Sequence, residues 1–183
     1  MSDLSTVQAI IAGDPVRRRL LELVASFGLP DCWIGAGFVR NAVWDALHGR
    51  DVSPISTDVD VIWFDPEQCS PEQDSALERI LGEHCPTVTW SVKNQARMHI
   101  RNGDEPYHSA TDAMRFWPET ATAVAVRWRE GDVCEVAAPL GLEDLLGLRV
   151  RPAGQFATSK RHLYRQRIAS KHWITTWPLL TVS

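Results

Sequence analysis

Apolar positions along the chain follow helical spacing in some segments and strand alternation in others, and their order predicts an α+β fold. Spacings of three and four residues predict helices at 4–11, 16–27, 38–48, 75–84, 110–117, 141–148 and 159–173. Alternating or continuous apolar runs predict strands at 32–35, 58–64, 87–94, 120–129 and 133–138, with 96–102 as further strand material. We therefore expect a short mixed sheet flanked by helices.

The length of the chain favours a single domain. Its 183 residues suffice for one hydrophobic core, and the hydrophobic fraction of 44% is that of an ordinary globular protein. Neither repeats nor a low-complexity linker interrupts it. Within this single domain (1–183) we expect N-terminal helices at 1–30, a catalytic core at 31–150 and a basic C-terminal helix at 151–183.

Charge and targeting signals narrow the functional classes. A net charge of −4 argues against a general nucleic-acid coat, which needs a basic surface. The N-terminus carries no secretory signal pattern, and no run approaches the roughly 20 apolar residues that span a bilayer. The four cysteines form no C-x-x-C pair, so we expect reduced thiols and a cytoplasmic protein without a membrane partner.

Two carboxylates open the apolar run STDVDVIWFD. In a strand, Asp58 and Asp60 point to the same side, while Val59 and Val61 point to the other. Carboxylates held side by side repel each other and need a compensating cation, and paired hard oxygen ligands suit Mg²⁺ or Mn²⁺. The alternative is that Asp58 closes a turn and Asp60 is a solvated strand end, because the D-x-D pattern alone is common.

A glycine bend between a strand and a helix precedes the aspartates. Gly35, Ala36 and Gly37 let backbone amides approach an anion closely, and the helix that follows adds partial positive charge at its start. Arg40 in the first helical turn, with Asn41 beside it, is a candidate ligand for the same anion. The alternative is an ordinary strand-to-helix turn with a surface arginine, but the order of bend, arginine and D-x-D favours a phosphate site.

Together these segments carry a resemblance to a known family. GAGFVRNAVWD followed by STDVDVIWFD resembles the head domain of the DNA polymerase β-type nucleotidyltransferase superfamily, including CCA-adding enzymes and bacterial poly(A) polymerases. WSVKNQARMH, DAMRFWPETATAVAVR and EVAAPLGLEDLL resemble a family of small stand-alone bacterial nucleotidyltransferases. The second resemblance runs from Trp33 to the C-terminal tryptophans.

The resemblance implies a substrate, a cofactor and a reaction. NTP phosphates would lie over Gly35–Gly37, and Asp58 and Asp60 would bind Mg²⁺ or Mn²⁺. A nucleoside monophosphate would pass to an unknown acceptor hydroxyl, on a small molecule, protein or RNA rather than DNA, with release of pyrophosphate. Active members usually carry a third carboxylate on a neighbouring strand.

The sequence departs from that pattern at three places. Ala36 stands at a glycine position and Asn41 at an aspartate position. The strand predicted at 87–94 offers Ser91 and Lys93 but no acid, which leaves Glu135 as the nearest candidate for the third carboxylate, ahead of Asp112 and Glu119. If the third acid is absent, the chemistry would need a base supplied by the substrate. Alternatively, the protein would be a catalytically degenerate nucleotide-binding or regulatory module, which could associate with RNA.

Basic and aromatic residues supply further candidates. If the strand continued through 93–99, then Lys93, Gln95, Arg97 and His99 would share one face, and Lys93 would be a candidate phosphate ligand. The basic tail 159–173 could bind RNA, with Arg161, Arg165 and Lys171 as the test residues, or form a solvated helix face. Most of the eight tryptophans fit core packing, and one or two are candidates to stack on a base.

Overall fold

A five-stranded mixed sheet forms the centre of the computed structural model, which describes residues 2–183. Its strands are β1 (Trp33–Gly35), β2 (Val59–Trp63), β3 (Trp90–Asn94), β4 (Ala125–Arg129) and β5 (Val133–Ala137). They lie in the order β3-β2-β1-β4-β5, and only the β2–β3 pair is parallel. Asp60 pairs with Gly35 on one side and Ser91 on the other, so the aspartates lie next to the glycine bend.

Helices cover the sheet, and their bounds agree with most of the predicted elements. They are α1 (Asp3–Ala12), α2 (Pro15–Ala25), α3 (Gly37–Leu47), α4 (Pro71–His84), α5 (Gln95–Asn102), α6 (Ala110–Ala113), α7 (Glu143–Leu146), α8 (Arg161–Lys171) and α9 (Trp173–Thr176). A small parallel pair joins β6 (Arg149–Val150) to β7 (Thr181–Val182). This confirms the predicted mixed sheet flanked by helices. No helix within 2–183 is long and apolar enough to cross a membrane.

The predicted strand at 96–102 is wrong, because this segment is helix α5. The side chain of Asn94 accepts the backbone N–H of Ala96 and so caps the helix, while buried Asp74 accepts the N–H of Asn94. These bonds end β3 at Asn94 and turn the chain. The face expected to join Lys93 with Arg97 is therefore not formed.

Two other boundaries differ for local reasons. Helix α4 begins at Pro71 rather than at residue 75, because proline fits the first helical turn without losing a hydrogen bond. The strand expected from residue 120 begins at Ala125, and the preceding residues 120–122 form one 3₁₀ turn.

The C-terminal segment packs against α3 through tryptophans. The ring centroids of Trp173 and Trp177 lie 5.5 and 5.1 Å from that of Trp44, both edge-to-face. The Trp177 indole donates to Asp45 Oδ1 at 2.7 Å. The main buried cluster contains residues from Val7 in α1 to Trp177, so both ends of the chain pack on the sheet core.

Ala36 has a backbone conformation that favours glycine. Its φ of 53° and ψ of −123° bring the chain from β1 into α3, and its N–H donates to Val124 O at 3.0 Å. An L-residue held there costs on the order of 1–3 kcal/mol. The glycine expected at this position by family resemblance would relieve that strain.

We predict that Ala36→Gly raises the free energy of unfolding by about 1 kcal/mol, because relief of backbone strain exceeds the entropy cost of glycine. Gly82→Ala is the control, in which a glycine is replaced by alanine instead of the reverse. Gly82 lies inside α4 with no atom within 4 Å of an added Cβ, so Gly82→Ala should also stabilise, by about 1 kcal/mol. Urea unfolding measures both. A loss of stability in Ala36→Gly would contradict the proposed backbone strain at Ala36.

Candidate active site

Two neighbouring clefts share Ala36, Asp60 and Arg167 as a common wall. The first, the charged cleft, has a volume of about 390 Å³ and is lined by Ala36, Gly37, Arg40, Thr57, Asp58, Asp60, Arg167 and Lys171. The second, the aromatic cleft, has about 240 Å³ and adds Ser91, Lys93, Gln95, Met98, Asn102 and Trp117 to the common wall. Both open beside β2, so the D-x-D segment lies where the clefts meet.

The two aspartates differ in environment. Asp58 is exposed just before β2, whereas Asp60 is half-buried within it, and Val59 and Val61 on the opposite side are fully buried. Burial raises the pKa of Asp60; a hydrogen bond with Ser91 opposes this rise, and the negative charge of Asp58 adds to it. Asp60 is thus a carboxylate whose charge is only partly compensated by the protein.

The donor set fits a cation shared with a ligand rather than a site made by protein alone. Within residues 2–183 no cluster of three or more Asp, Glu, His or Cys could hold a metal. Mg²⁺ commonly takes one or two carboxylates and completes its coordination with phosphate oxygens and water. Asp58 and Asp60 fit that arrangement.

The glycine bend contains two close approaches that exclude side chains. A Cβ on Gly37 would lie 2.7 Å from Thr57 Oγ1, and one on Gly35 would lie 2.9 Å from the Trp117 ring. Gly37 begins α3 in the charged cleft, and the first N–H groups of a helix have no partner within it. Gly37 therefore lies at a helix start whose first N–H groups lack partners within the helix, whereas Gly35 makes room for Trp117.

Arg40 lies in the floor of the charged cleft, not extended into it. Its guanidinium carbon lies 4.9 Å from the Trp44 ring centroid and 4.4 Å from that of Trp173. It donates to Thr122 Oγ1 at 2.9 Å and twice to Asn41 Oδ1, at 3.0 and 3.2 Å. Burial lowers the pKa of Arg40 to about 10, so it stays charged at neutral pH. Asn41 is buried and acts on the cleft only by holding Arg40.

Sequence reasoning assigned Lys171 to a possible RNA surface and did not single out Arg167, and it connected neither residue with the D-x-D segment. Both lie on α8, four residues apart and thus on one helix side, and both line the charged cleft. Arg167 Nε donates to Glu119 Oε1 at 2.6 Å; Glu119 is fully buried, and its Oε2 has no partner within residues 2–183. The i, i+4 spacing was visible in the sequence, but which side of the basic helix faces the cleft was not.

Lys93 and Glu135 lie differently from what was expected. Lys93 lines the aromatic cleft, but its ammonium pairs with Glu78 at 2.6 Å. Glu135 lies on the outermost strand β5, three strands from Asp60, and bonds Arg127 and Arg129. The Arg127 hydrogen bond is the main cause that lowers the pKa of Glu135 to about 2. As a correction, Glu135 is not the third carboxylate beside Asp58 and Asp60, since strand pairing places it away from them.

Comparison with known proteins gives concordant results. Residues 22–182 match the model of a family described as nucleotidyltransferase. A protein whose NMR structure reveals a CCA-adding enzyme head domain is 36% identical, with a TM-score of 0.86 over 97% of this chain and 94% of that one. This similarity confirms the predicted head fold. No curated protein matches the chain.

More distant structures share the fold. A tRNA-processing enzyme in apo form I is 17% identical, with a TM-score of 0.55 over 91% of this chain. A tRNA-processing enzyme with CTP is 20% identical, with a TM-score of 0.50 over 90% of this chain. The present chain spans 42% and 43% of those two enzymes, less than half of either.

We predict that Glu119→Gln lowers the free energy of unfolding by about 3 kcal/mol, because it removes the buried anion that balances Arg40 and Arg167. Glu22 provides the matched control, since it pairs with Arg18 at 2.8 Å on the surface. Glu22→Gln should cost less than about 1 kcal/mol. Thermal or urea unfolding measures the loss in free energy of unfolding of each variant. Equal losses in the two variants would contradict the proposed charge balance.

Proposed function

Because the chain belongs to the nucleotidyltransferase family, we propose that it transfers a nucleoside monophosphate from an NTP to an acceptor hydroxyl and releases pyrophosphate. The observation that carries this proposal is the composition of the charged cleft. Asp58 and Asp60, the start of α3 and the cations Arg167 and Lys171 all lie around it. A triphosphate with its metal ion needs carboxylates that bind the metal and positive groups that bind the phosphate oxygens, both within reach.

The charge of the cleft suits a metal-bound triphosphate. Its lining contains three cations, Arg40, Arg167 and Lys171, against the two carboxylates Asp58 and Asp60. The start of α3 adds further partial positive charge directed at the same space. We infer that Lys171 and Arg167 bind the outer phosphates and that the Gly37 amide binds one of their oxygens.

We propose that Asp58 and Asp60 hold Mg²⁺ or Mn²⁺. A bound ion of this kind neutralises the charge that develops on the phosphate oxygens during transfer. The residues of the chain position the substrate, which is the main protein contribution in phosphoryl transfer. Arg40 stabilises the floor of the cleft and adds a fixed positive charge beneath the phosphates.

Substrate and setting follow from the same proposal. An NTP as the substrate is supported by the tRNA-processing enzyme solved with CTP, although that enzyme shares only the fold with this chain. We propose that the activity is cytoplasmic. We also propose that residues 1–183 act as a single unit, because the N-terminal helices and the C-terminal segment both pack on the sheet core. The acceptor is a small molecule, protein or RNA that carries a free hydroxyl.

A second candidate function is nucleotide binding without turnover. It is favoured by one observation: within residues 2–183 no third acidic side chain joins Asp58 and Asp60 in a metal cluster, and the paired residue on β3 is Ser91. A binding module of this kind would be stabilised by NTP with metal but would release no pyrophosphate. Turnover therefore separates the two functions.

We predict that the protein transfers label from α-labelled NTPs to an acceptor in cell extract with Mg²⁺ or Mn²⁺, and that Asp58→Asn or Asp60→Asn lowers the rate at least about a hundredfold, since each loses a metal ligand. Glu67→Gln is the matched control, because Glu67 is an exposed carboxylate outside both clefts. It should leave the rate unchanged. Transfer that survives in both aspartate variants would refute the assignment.

A further inference from the structure

The proposed phosphate and metal sites lie in the charged cleft and leave the aromatic cleft without an assigned ligand. The aromatic cleft begins at Asp60, beside which the α-phosphate of a bound NTP would lie, and continues away from the charged cleft. The two volumes, about 240 and 390 Å³, together fall within the roughly 300–1,000 Å³ of small-molecule sites. A nucleoside attached to that phosphate therefore has a cavity to enter.

One wall of the aromatic cleft is the ring of Trp117. The ring approaches Gly35 so closely that a Cβ there would lie 2.9 Å from its Cη2 atom. Met98 and Pro118 also line the cleft, which makes this side apolar. A half-buried indole in a cleft is a stacking surface for a planar ring, and such stacking contributes about 1–3 kcal/mol per base.

Two carboxamides supply the polar part of the cleft. Gln95 is 6% exposed, and its Nε2 donates to the Lys93 carbonyl at 3.1 Å. This bond fixes the orientation of the amide and leaves Oε1 without a hydrogen-bond partner within residues 2–183. An acceptor oxygen of a nearly buried side chain that lines the cleft thus remains free for a ligand N–H.

The orientation of Asn102 is fixed by a longer chain of hydrogen bonds. Tyr107 Oη donates to Asp104 Oδ2 at 2.5 Å, and Lys160 Nζ donates to Asp104 Oδ1 at 3.3 Å. Tyr107 must therefore accept from Asn102 Nδ2, at 3.1 Å. The side-chain oxygen Oδ1 of Asn102 is left without a hydrogen-bond partner within residues 2–183, so both carboxamides of the cleft offer acceptors.

We propose that the aromatic cleft binds the base of the NTP, with Trp117 stacked on the ring. The side-chain oxygens Gln95 Oε1 and Asn102 Oδ1 accept N–H groups of an exocyclic amino substituent. This inference rests on the proposed NTP function and specifies its base. Bases with an exocyclic amine satisfy both oxygens, whereas the carbonyl at the same position of uracil leaves them unpaired. CTP is thus preferred over UTP.

The test separates the base from the phosphates by comparing the affinities of CTP, UTP and inorganic tripolyphosphate in Mg²⁺ by calorimetry. For the full chain we expect CTP to bind about tenfold more tightly than UTP. Trp117→Leu should weaken CTP about tenfold and leave tripolyphosphate unchanged. Asn102→Leu, at an exposed position that tolerates substitution, should reduce the preference for CTP over UTP.

Lys171→Met is the matched control, since it should weaken CTP and tripolyphosphate alike. If Lys171→Met weakens CTP while Trp117→Leu and Asn102→Leu do not, the base lies elsewhere: the inference falls and the NTP function stands. If the unmodified protein binds neither CTP nor tripolyphosphate, the NTP function falls and the inference with it. If Trp117→Leu does not fold, Asn102→Leu alone decides through the ratio of CTP to UTP affinity.

Discussion

The buried guanidinium of Arg40 is the constraint on which the rest of the site depends. It is buried between Trp44 of α3 and Trp173 of the C-terminal segment. It donates hydrogen bonds to Asn41 and Thr122, and the charge of Glu119 opposes the lowering of its pKa by burial. A buried charge without such partners costs several kcal/mol. Three parts of the chain must therefore come together before Arg40 is satisfied: α3, residues 119–122 and the C-terminal segment. Their assembly forms the floor of the charged cleft.

This constraint links the C-terminal segment to the chemistry. Trp173 covers Arg40, and the preceding helix α8 then directs Arg167 and Lys171 toward Asp58 and Asp60. The bond from Arg167 to Glu119 fixes the helix from the other side. The basic tail, which from sequence fitted a solvated face or an RNA site, thus contributes two cations to the cleft, while Arg161 and Arg165 remain exposed.

The sequence was sufficient for the fold, and it singled out the glycine bend and the D-x-D segment, which the structure brings together in the charged cleft. Apolar spacing predicted most helices and most strands, and the resemblance predicted the head fold that the NMR-solved relative confirms. It was insufficient where side-chain bonds override periodicity, as when Asn94 and Asp74 turn 95–102 into a helix. It was also insufficient where placement depends on tertiary contacts: Glu135 is an acid on a strand, but strand order alone decides that it lies far from Asp60.

Paramagnetic broadening by Mn²⁺ in the presence of NTP tests the central claim most directly, because it locates the metal without requiring turnover. The account predicts that amide resonances of Gly37, Asp60 and Lys171 broaden first. The resonance of Glu135, three strands away, should broaden much less. The same experiment on Asp60→Asn should lose the effect. Broadening centred on Glu135, or none near Asp60, would contradict a nucleotide and metal site at the D-x-D segment.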